Sequence, residues 1–156
     1  MSLVQALQDA RISHLDISGS ISVLGDVPVD KLLSRMRAER TTAALVVDTD
    51  GHLVGIFTER DVLLKIADDP SRLADKVQDH MTPAPQTVSL DDTAGHALRF
   101  MNAGHYRNVP VLDDTGCPVG NLSQHAVIRF ITDHFPREVY NLPPDPDKIP
   151  RTREGA

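Results

Sequence analysis

The sequence contains few aromatic residues and almost no cysteine. Aromatic side chains make up 4% of its 156 residues, tryptophan is absent, and Cys117 is the single cysteine. The core must therefore be largely aliphatic, and neither an internal disulfide framework nor a multi-cysteine zinc site can form. This cysteine usage suits a reducing compartment, and we expect a cytoplasmic protein. The seven histidines show no His-x-His or His-x-x-x-His spacing, so we expect no metal site.

Surplus positive charge and long apolar runs are also missing. The 16 Lys and Arg residues against 22 Asp and Glu residues give a net charge of -6, so we expect no nucleic-acid partner, since binding to phosphates needs excess cationic side chains. The longest apolar run, residues 43–47, is far shorter than the ~20 residues of a membrane-spanning helix. Residues 1–10 carry neither the basic nor the apolar region of a signal peptide. We therefore expect no membrane association.

The length is that of a single domain, but the sequence contains an internal duplication. Residues 46–55 match residues 111–120 at an offset of 65, and the register continues without a gap, pairing Met36 with Met101 and Gly51 with Gly116. A gap-free register that keeps apolar spacing and turn residues together is unlike a chance match. Two copies of one unit indicate a pair related by a pseudo-twofold axis.

The sequence pattern of each copy predicts the element order β-α-β-β-α, and we therefore predict an α/β (α+β) fold class. Apolar residues at helical spacing, strand-like runs and a glycine-containing turn predict these elements. We expect Asp91 or Asp92 to cap the first helix of the second copy, and one short helix over residues 71–77. The predicted ranges are 21–24, 29–36, 44–47, 53–57 and 59–67 in the first copy and 86–88, 94–101, 109–112, 119–122 and 124–135 in the second.

The segment from Gly55 to Asp61 carries the strongest site signal. A strand ends and a helix begins here, and the N–H groups and dipole of a helix N-terminus attract phosphate. Thr58 could add a hydroxyl to that cradle, Arg60 a cation, and Asp61 two oxygens for the hydroxyls of a ribose. The same spacing also fits a capping box, in which Thr58 caps the helix and Asp61 returns a hydrogen bond. On spacing alone the capping interpretation comes first.

At this point the duplicated unit resembles a tandem CBS-domain protein, or Bateman module. The resemblance rests on LVVDTDGHLVGIFTERDVLLKIA in the first copy and MTPAPQTVSLDDTAGHALRFMNAGHYRNVPVLDD in the second, and covers about residues 12–134. It implies two tandem CBS repeats related by a pseudo-twofold axis. We divide the chain into an N-terminal segment with the first repeat (1–67), a connector (68–80), the second repeat (81–135) and a Pro-rich tail (136–156).

The resemblance also implies a site in the cleft between the repeats. In that family a Gly-x-x-Thr/Ser-x-x-Asp motif contacts the phosphate and ribose of adenosyl ligands, and Gly55, Thr58 and Asp61 match it in full. In the second copy Ala126 replaces the aspartate, which implies one competent site and one that is degraded or differently used. The family pattern further places residues near adenine or phosphate, namely Ile56, Phe57, Thr87 and Val88 for the base and His105 and Arg107, beside Arg60, for phosphates.

Three functions follow as hypotheses. The first is a non-catalytic regulatory module that binds AMP, ADP, ATP or S-adenosylmethionine, needs no cofactor, forms a homodimer and acts on a protein partner in trans. The second is a scaffold that has lost its ligand and acts through its dimer surface or its tail, which either packs on a partner or is disordered. The third is an enzyme, for which the sequence offers neither a nucleophile elbow nor a phosphate loop. We expect no catalytic residues.

Overall fold

The computed structural model describes residues 2–135, which form two mixed layers of sheet and helix in tandem. The elements of the first copy are β1 (Ser20–Leu24), α2 (Val29–Glu39), β2 (Ala43–Val47), β3 (Leu53–Thr58) and α3 (Glu59–Asp61), which continues as a π-helical turn (Val62–Ile66). Those of the second are β5 (Val88–Ser89), α4 (Ala94–Gly104), β6 (Asn108–Leu112), β7 (Pro118–Ser123) and α5 (Gln124–His134). The predicted α+β class and the duplicated element order are confirmed.

Two further elements lie outside the duplicated pattern. Helix α1 (Leu3–Asp9) precedes the first copy, and the two-residue strand β4 (Thr82–Pro83) lies between the copies. Neither was predicted. Short 3₁₀ turns occupy Ile12–His14, Pro70–Ala74 and Val77–Asp79, so the single helix predicted over residues 71–77 is replaced by two separate turns.

The two sheets share one topology. In each, the opening strand is parallel to the next one and the hairpin that follows is antiparallel, giving the orders β1-β2-β3-β4 and β5-β6-β7. Gly51 and Gly116 adopt positive φ angles of 87° and 83° in the two hairpin turns, a backbone conformation that glycine adopts without steric cost. The glycine turn signals in the sequence therefore correspond to the observed hairpins.

The cap of helix α4 differs from the prediction. The N-cap is Thr93, whose side chain accepts a hydrogen bond from the His96 N–H at 3.2 Å. Asp92 instead accepts from the Ser89 N–H at 2.8 Å, which closes the turn before the helix. The prediction of Asp91 or Asp92 as the cap is wrong, because the helix begins one residue later than Asp92 allows.

Each copy is completed by the segment that precedes the other. Ile12, before the first copy, is fully buried in the core of the second, and Val77, before the second copy, is fully buried in the core of the first. The Ile17 carbonyl accepts from the Asn121 N–H at 2.8 Å, while β4 pairs with β3. Isolated β-bridges join Arg11 to Thr93 and Pro28 to Lys76, at the same offset of 65 residues. The exchange ties the two copies into one unit.

The core has two clusters, one in each copy, and is mainly aliphatic as predicted. Phe57 is its largest fully buried side chain. The predicted tail over residues 136–156 lies outside the described residues. Within residues 2–135, no helix has the length and apolar character needed to cross a membrane.

Candidate functional site

A cavity of about 630 Å³ opens between the first and the second copy, beside strand β4. The end of β3 and the start of α3 form one wall, β4 and the residues after it form another, and the turn between α4 and β6 closes the third side. Of the predicted site residues, the cavity is lined by Ile56, Thr58, Arg60, Asp61, His105 and Arg107. The fold thus gathers side chains that are up to about 50 positions apart in sequence.

Asp61 is a buried carboxylate, with 6% of its surface exposed. Its Oδ2 accepts from the Thr58 N–H at 2.9 Å and faces the Thr58 hydroxyl at 3.4 Å. This is the return bond of a capping box at the start of α3. The capping interpretation of the spacing is therefore present in the structure, and the same carboxylate also borders the cavity.

Lys65 neutralises Asp61 from one turn further along the helix. Its Nζ lies 2.8 Å from Asp61 Oδ1 and donates a second hydrogen bond, also 2.8 Å long, to the carbonyl oxygen of His80. The Thr82 hydroxyl adds a longer contact of 3.4 Å to Oδ1. A buried carboxylate needs such partners, because an unpaired charge away from water is strongly destabilising.

Arg60 crosses the cleft between the two copies. Its Nη1 donates to the carbonyl oxygen of His105 at 3.3 Å. His105 ends helix α4 in the left-handed conformation, with φ of 55°, and this turn directs the chain back so that Tyr106 and Arg107 border the same cavity. Arg60, Lys65 and Arg107 therefore place three cationic side chains around the opening, against the carboxylates of Glu59 and Asp61.

Four predicted site residues lie outside the lining of this cavity. Phe57 is fully buried in the first core and Val88 is 4% exposed in the second. Thr87 lies one residue beyond the lining segment, which ends at Gln86. A Cβ at Gly55 would lie 3.0 Å from the Thr82 carbonyl oxygen, so Gly55 is needed for the close approach of β4. Roles of these four in binding remain predictions.

The sequence reasoning missed several lining residues. Lys65 could have been found, because residues four apart on a helix face one another and form ion pairs. The others lie just before β2, in α3 and the turn after it, along β4 and the residues that follow it, in the α4–β6 turn and at the start of α5, and no local pattern distinguishes them. They are Thr42, Glu59, Leu64, Thr82 to Gln86, Gly104, Tyr106, Asn108 and Ser123 to His125.

The corresponding position in the second copy has different chemistry. The Ser123 hydroxyl accepts from the Ala126 N–H at 3.0 Å and caps α5, but Ala126 and Phe130 stand where the first copy has Asp61 and Lys65. Asn121 replaces Ile56 and is 2% exposed, and its Nδ2 donates to Asn108 Oδ1 at 2.9 Å. This copy has the helix cap without the carboxylate.

One group of metal-ligand side chains occurs within residues 2–135. Oxygen and nitrogen atoms of Asp48, Asp50 and His52 lie within 4.8 Å of one another in the β2–β3 hairpin. Asp48 Oδ1 accepts from the backbone N–H groups of Asp50 and His52 at 2.9 and 3.0 Å. The turn itself accounts for this proximity. Asp48 is half-buried, and Asp50 and His52 are exposed.

Comparison with known proteins identifies the family. The model of the CBS domain matches residues 12–68 and again residues 77–133, and the chain belongs to the CBS-domain family as a tandem pair. The CBS domain-containing protein CBSCBSPB3 of Arabidopsis thaliana is 32% identical over 109 residues, which are 67% of this chain and 19% of that protein. The chain spans 14% to 25% of the length of the curated relatives it matches.

Solved structures show the same fold. The structure of CBSX2 in complex with AMP has a TM-score of 0.69 and 24% identity, covering 80% of this chain and 98% of that one. The CBS domain pair of protein MJ0100, in complex with 5-methylthioadenosine and S-adenosyl-L-methionine, has a TM-score of 0.69 and 21% identity, with the same coverage. At these identities the likeness concerns the fold.

Proposed function

We propose that this chain is a non-catalytic regulatory module that binds an adenosyl nucleotide in the cleft between its two CBS repeats. The observation that carries the proposal is the convergence of Thr58, Asp61 and three cationic side chains on one cavity. A carboxylate can accept both hydroxyls of a ribose, and the cations suit its phosphates. Solved CBS pairs with AMP or S-adenosyl-L-methionine support this ligand class.

Ligand binding would act by changing how the two repeats sit against each other. Arg60 bridges them through the His105 carbonyl, so a ligand that engages Arg60 alters a contact between the repeats. Such a change is transmitted to a protein partner in trans, and the ligand itself is a regulator rather than a cofactor. The difference between the ligand's affinities for the two arrangements of the repeats sets how far their equilibrium shifts.

We further propose that the module forms a homodimer through its helices. Leu63, after α3, is 70% exposed, and Ile128, on α5, is 52% exposed. They occupy equivalent positions in the two copies, so each copy exposes one large apolar side chain at the same point of its last helical segment. Sedimentation of wild type and Leu63→Glu/Ile128→Glu tests this. A dimer that persists in the double variant would contradict it.

The binding proposal is tested by thermal unfolding with AMP, ADP, ATP and S-adenosylmethionine. At a ligand concentration 100-fold above Kd, stability rises by about 2.7 kcal/mol, which is a Tm increase of roughly 5–10 °C for a chain of this size. Asp61→Asn should abolish the increase, because it removes charge and acceptor capacity at the ribose. Asp79→Asn, at an exposed position outside the cavity, is the matched control and should keep it.

A specific observation favours the second candidate, a ligand-free scaffold. The oxygens of Asp61 are already bonded to Thr58, Lys65 and Thr82. If the protein is such a scaffold, no adenosyl compound at millimolar concentration would raise the Tm.

The enzyme alternative is tested by incubation with ATP followed by product analysis, and we expect no turnover.

A further inference from the structure

The strongest unexplained feature of the cleft is the complete occupation of Asp61. A carboxylate offers about four acceptor sites, and four groups contact this one: the Thr58 N–H and hydroxyl, Lys65 Nζ and the Thr82 hydroxyl. The two hydroxyl contacts are 3.4 Å long, whereas the Lys65 contact is 2.8 Å. A ribose therefore meets a carboxylate whose Oδ1 is held mainly by an ammonium group.

Lys65 has room to leave Asp61. Its side chain is 35% exposed, whereas that of Asp61 is 9% exposed, and both border the cavity. Rotation of its flexible four-carbon stem would free Oδ1 without movement of the backbone. The ammonium would at the same time give up its hydrogen bond to the His80 carbonyl.

The energy of this exchange depends on the charge of the ligand. Removing Lys65 from a buried carboxylate is unfavourable unless the ammonium gains another anionic partner. A phosphate supplies such a partner through charge-assisted hydrogen bonds. Adenosine supplies none, and S-adenosylmethionine has a net positive charge that the cations Arg60, Lys65 and Arg107 oppose. The other titratable groups at the cavity are Glu59, Asp61, His105, Tyr106 and His125.

We propose that Lys65 is a specificity-determining residue: it occupies Asp61 in the free protein and moves to phosphate when a ligand binds. The cleft then selects phosphorylated adenosine nucleotides and disfavours adenosine and S-adenosylmethionine. This inference rests on the proposed function of the same cleft and narrows it to one ligand class.

Isothermal titration calorimetry on the full chain with ATP, AMP, adenosine and S-adenosylmethionine tests the inference. Wild type should bind ATP at least about tenfold more tightly than adenosine. In Lys65→Met the ratio of ATP affinity to adenosine affinity should fall by roughly tenfold or more. A change of that size is expected when one charge-assisted hydrogen bond to the ligand is lost. ATP should bind more weakly, and adenosine should bind more tightly because its competitor for Asp61 is gone.

Three further variants separate the role in specificity from a role in folding. Lys65→Gln keeps an N–H donor for the His80 carbonyl but removes the charge. It therefore replaces Lys65→Met in the titrations if the methionine variant does not fold. Lys65→Arg keeps the charge and should retain the preference for ATP. Lys31→Met makes the same chemical change at an exposed position of α2 outside the cavity, and should leave all four affinities unchanged.

The outcomes distinguish this inference from the proposed function. An unchanged ratio of ATP to adenosine affinity in the uncharged Lys65 variants overturns the role of Lys65, while the nucleotide module stands. Wild-type binding of S-adenosylmethionine in preference to ATP also overturns it. If none of the four compounds binds wild type, the proposed function fails and the inference fails with it.

Discussion

The two CBS repeats share one sheet topology but have different chemistry at equivalent positions. In the first, the buried carboxylate of Asp61 forms an ion pair with the partly exposed Lys65 after the cap of α3. In the second, Ala126 and Phe130 stand in those places on α5, and the Ser123 cap is kept. The cap is therefore sufficient to start the helix, and the carboxylate is an addition that the fold does not require. That difference is why we propose a ligand site in the first copy.

The repeats also differ on the strand faces turned away from their cores. In the first copy Ala43, Leu45 and Ile56 are buried there, and in the second the buried amide of Asn121 takes the place of Ile56. Strands β2 and β7 are in contact, so these faces pack between the copies. The features that remain equal are those the fold needs: the hairpin glycines, the exchanged segments and their buried anchors.

The largest effect is expected at the anchor of the exchanged N-terminal segment. Ile12→Ala removes a fully buried side chain from the second core and should lower the free energy of unfolding by about 3 kcal/mol. Urea denaturation measures this. Val4→Ala, at a position on α1 that is 65% exposed, should change stability by less than about 0.5 kcal/mol. Equal effects of the two changes would show that the segment does not complete the second core.

The next largest effect is expected at two strand glycines, each of which lies close to a backbone carbonyl of another segment. A Cβ at Gly120 would lie 2.6 Å from the Ile17 carbonyl oxygen, and one at Gly55 would lie 3.0 Å from the Thr82 carbonyl oxygen. The other close atoms at Gly55 belong to the flexible Met81 side chain. We expect Gly120→Ala to destabilise by about 2–3 kcal/mol and Gly55→Ala by less. The reverse order in thermal unfolding would contradict this account.

A smaller effect should follow from giving the second copy the carboxylate of the first. Ala126 is 7% exposed, and residue 130 is Phe, so Ala126→Asp would bury a charge without a lysine one turn away. We expect a loss of about 1–2 kcal/mol despite the added capping bond to Ser123. Ala126→Ser is the uncharged control. A stabilised Ala126→Asp protein would show that the ion pair with Lys65 is not what makes Asp61 tolerable.

The smallest effect concerns the hairpin turns. The Thr115 hydroxyl, with the N–H groups of Cys117 and Thr115, lowers the pKa of Asp113 from its ordinary value. Asp48, its counterpart, has Asp50 where the second copy has Thr115 and accepts from backbone N–H groups alone. Thr115→Ala should raise the pKa of Asp113 towards the ordinary value, as followed by carboxyl NMR titration. Thr49→Ala, in the other turn, should leave it unchanged.

The sign of the pH dependence follows from the direction of that shift. Because the pKa of Asp113 is lowered in the folded state, its contribution is present above the ordinary carboxyl pKa of ~3.9 and is lost as pH falls through the folded pKa. The stability difference between Thr115→Ala and wild type should therefore shrink in strong acid. A difference that grows as the pH falls would contradict this assignment.

Most of the elements could be predicted from the sequence, because strand and helix patterns are local. The apolar spacing around Leu32 and Met36 and the turn glycines Gly51 and Gly116 repeat at one offset, so each copy supported the interpretation of the other. The capping relation of Thr58 to Asp61 was also predictable from spacing. Helix α1 and strand β4 were missed, since their short segments gain stability from the other repeat rather than from their own pattern.

The sequence by itself determined the duplication, the order of elements in each copy, and the capping relation of Thr58 and Asp61 at the start of α3. Only the tertiary structure decided that the segments before the two repeats exchange places, that Phe57 and Val88 enter the cores, and that Lys65 links Asp61 to the His80 carbonyl. The physical reason is the range of the contacts. Periodicity and capping act within a few residues, whereas a cleft is formed by groups that only chain folding brings together.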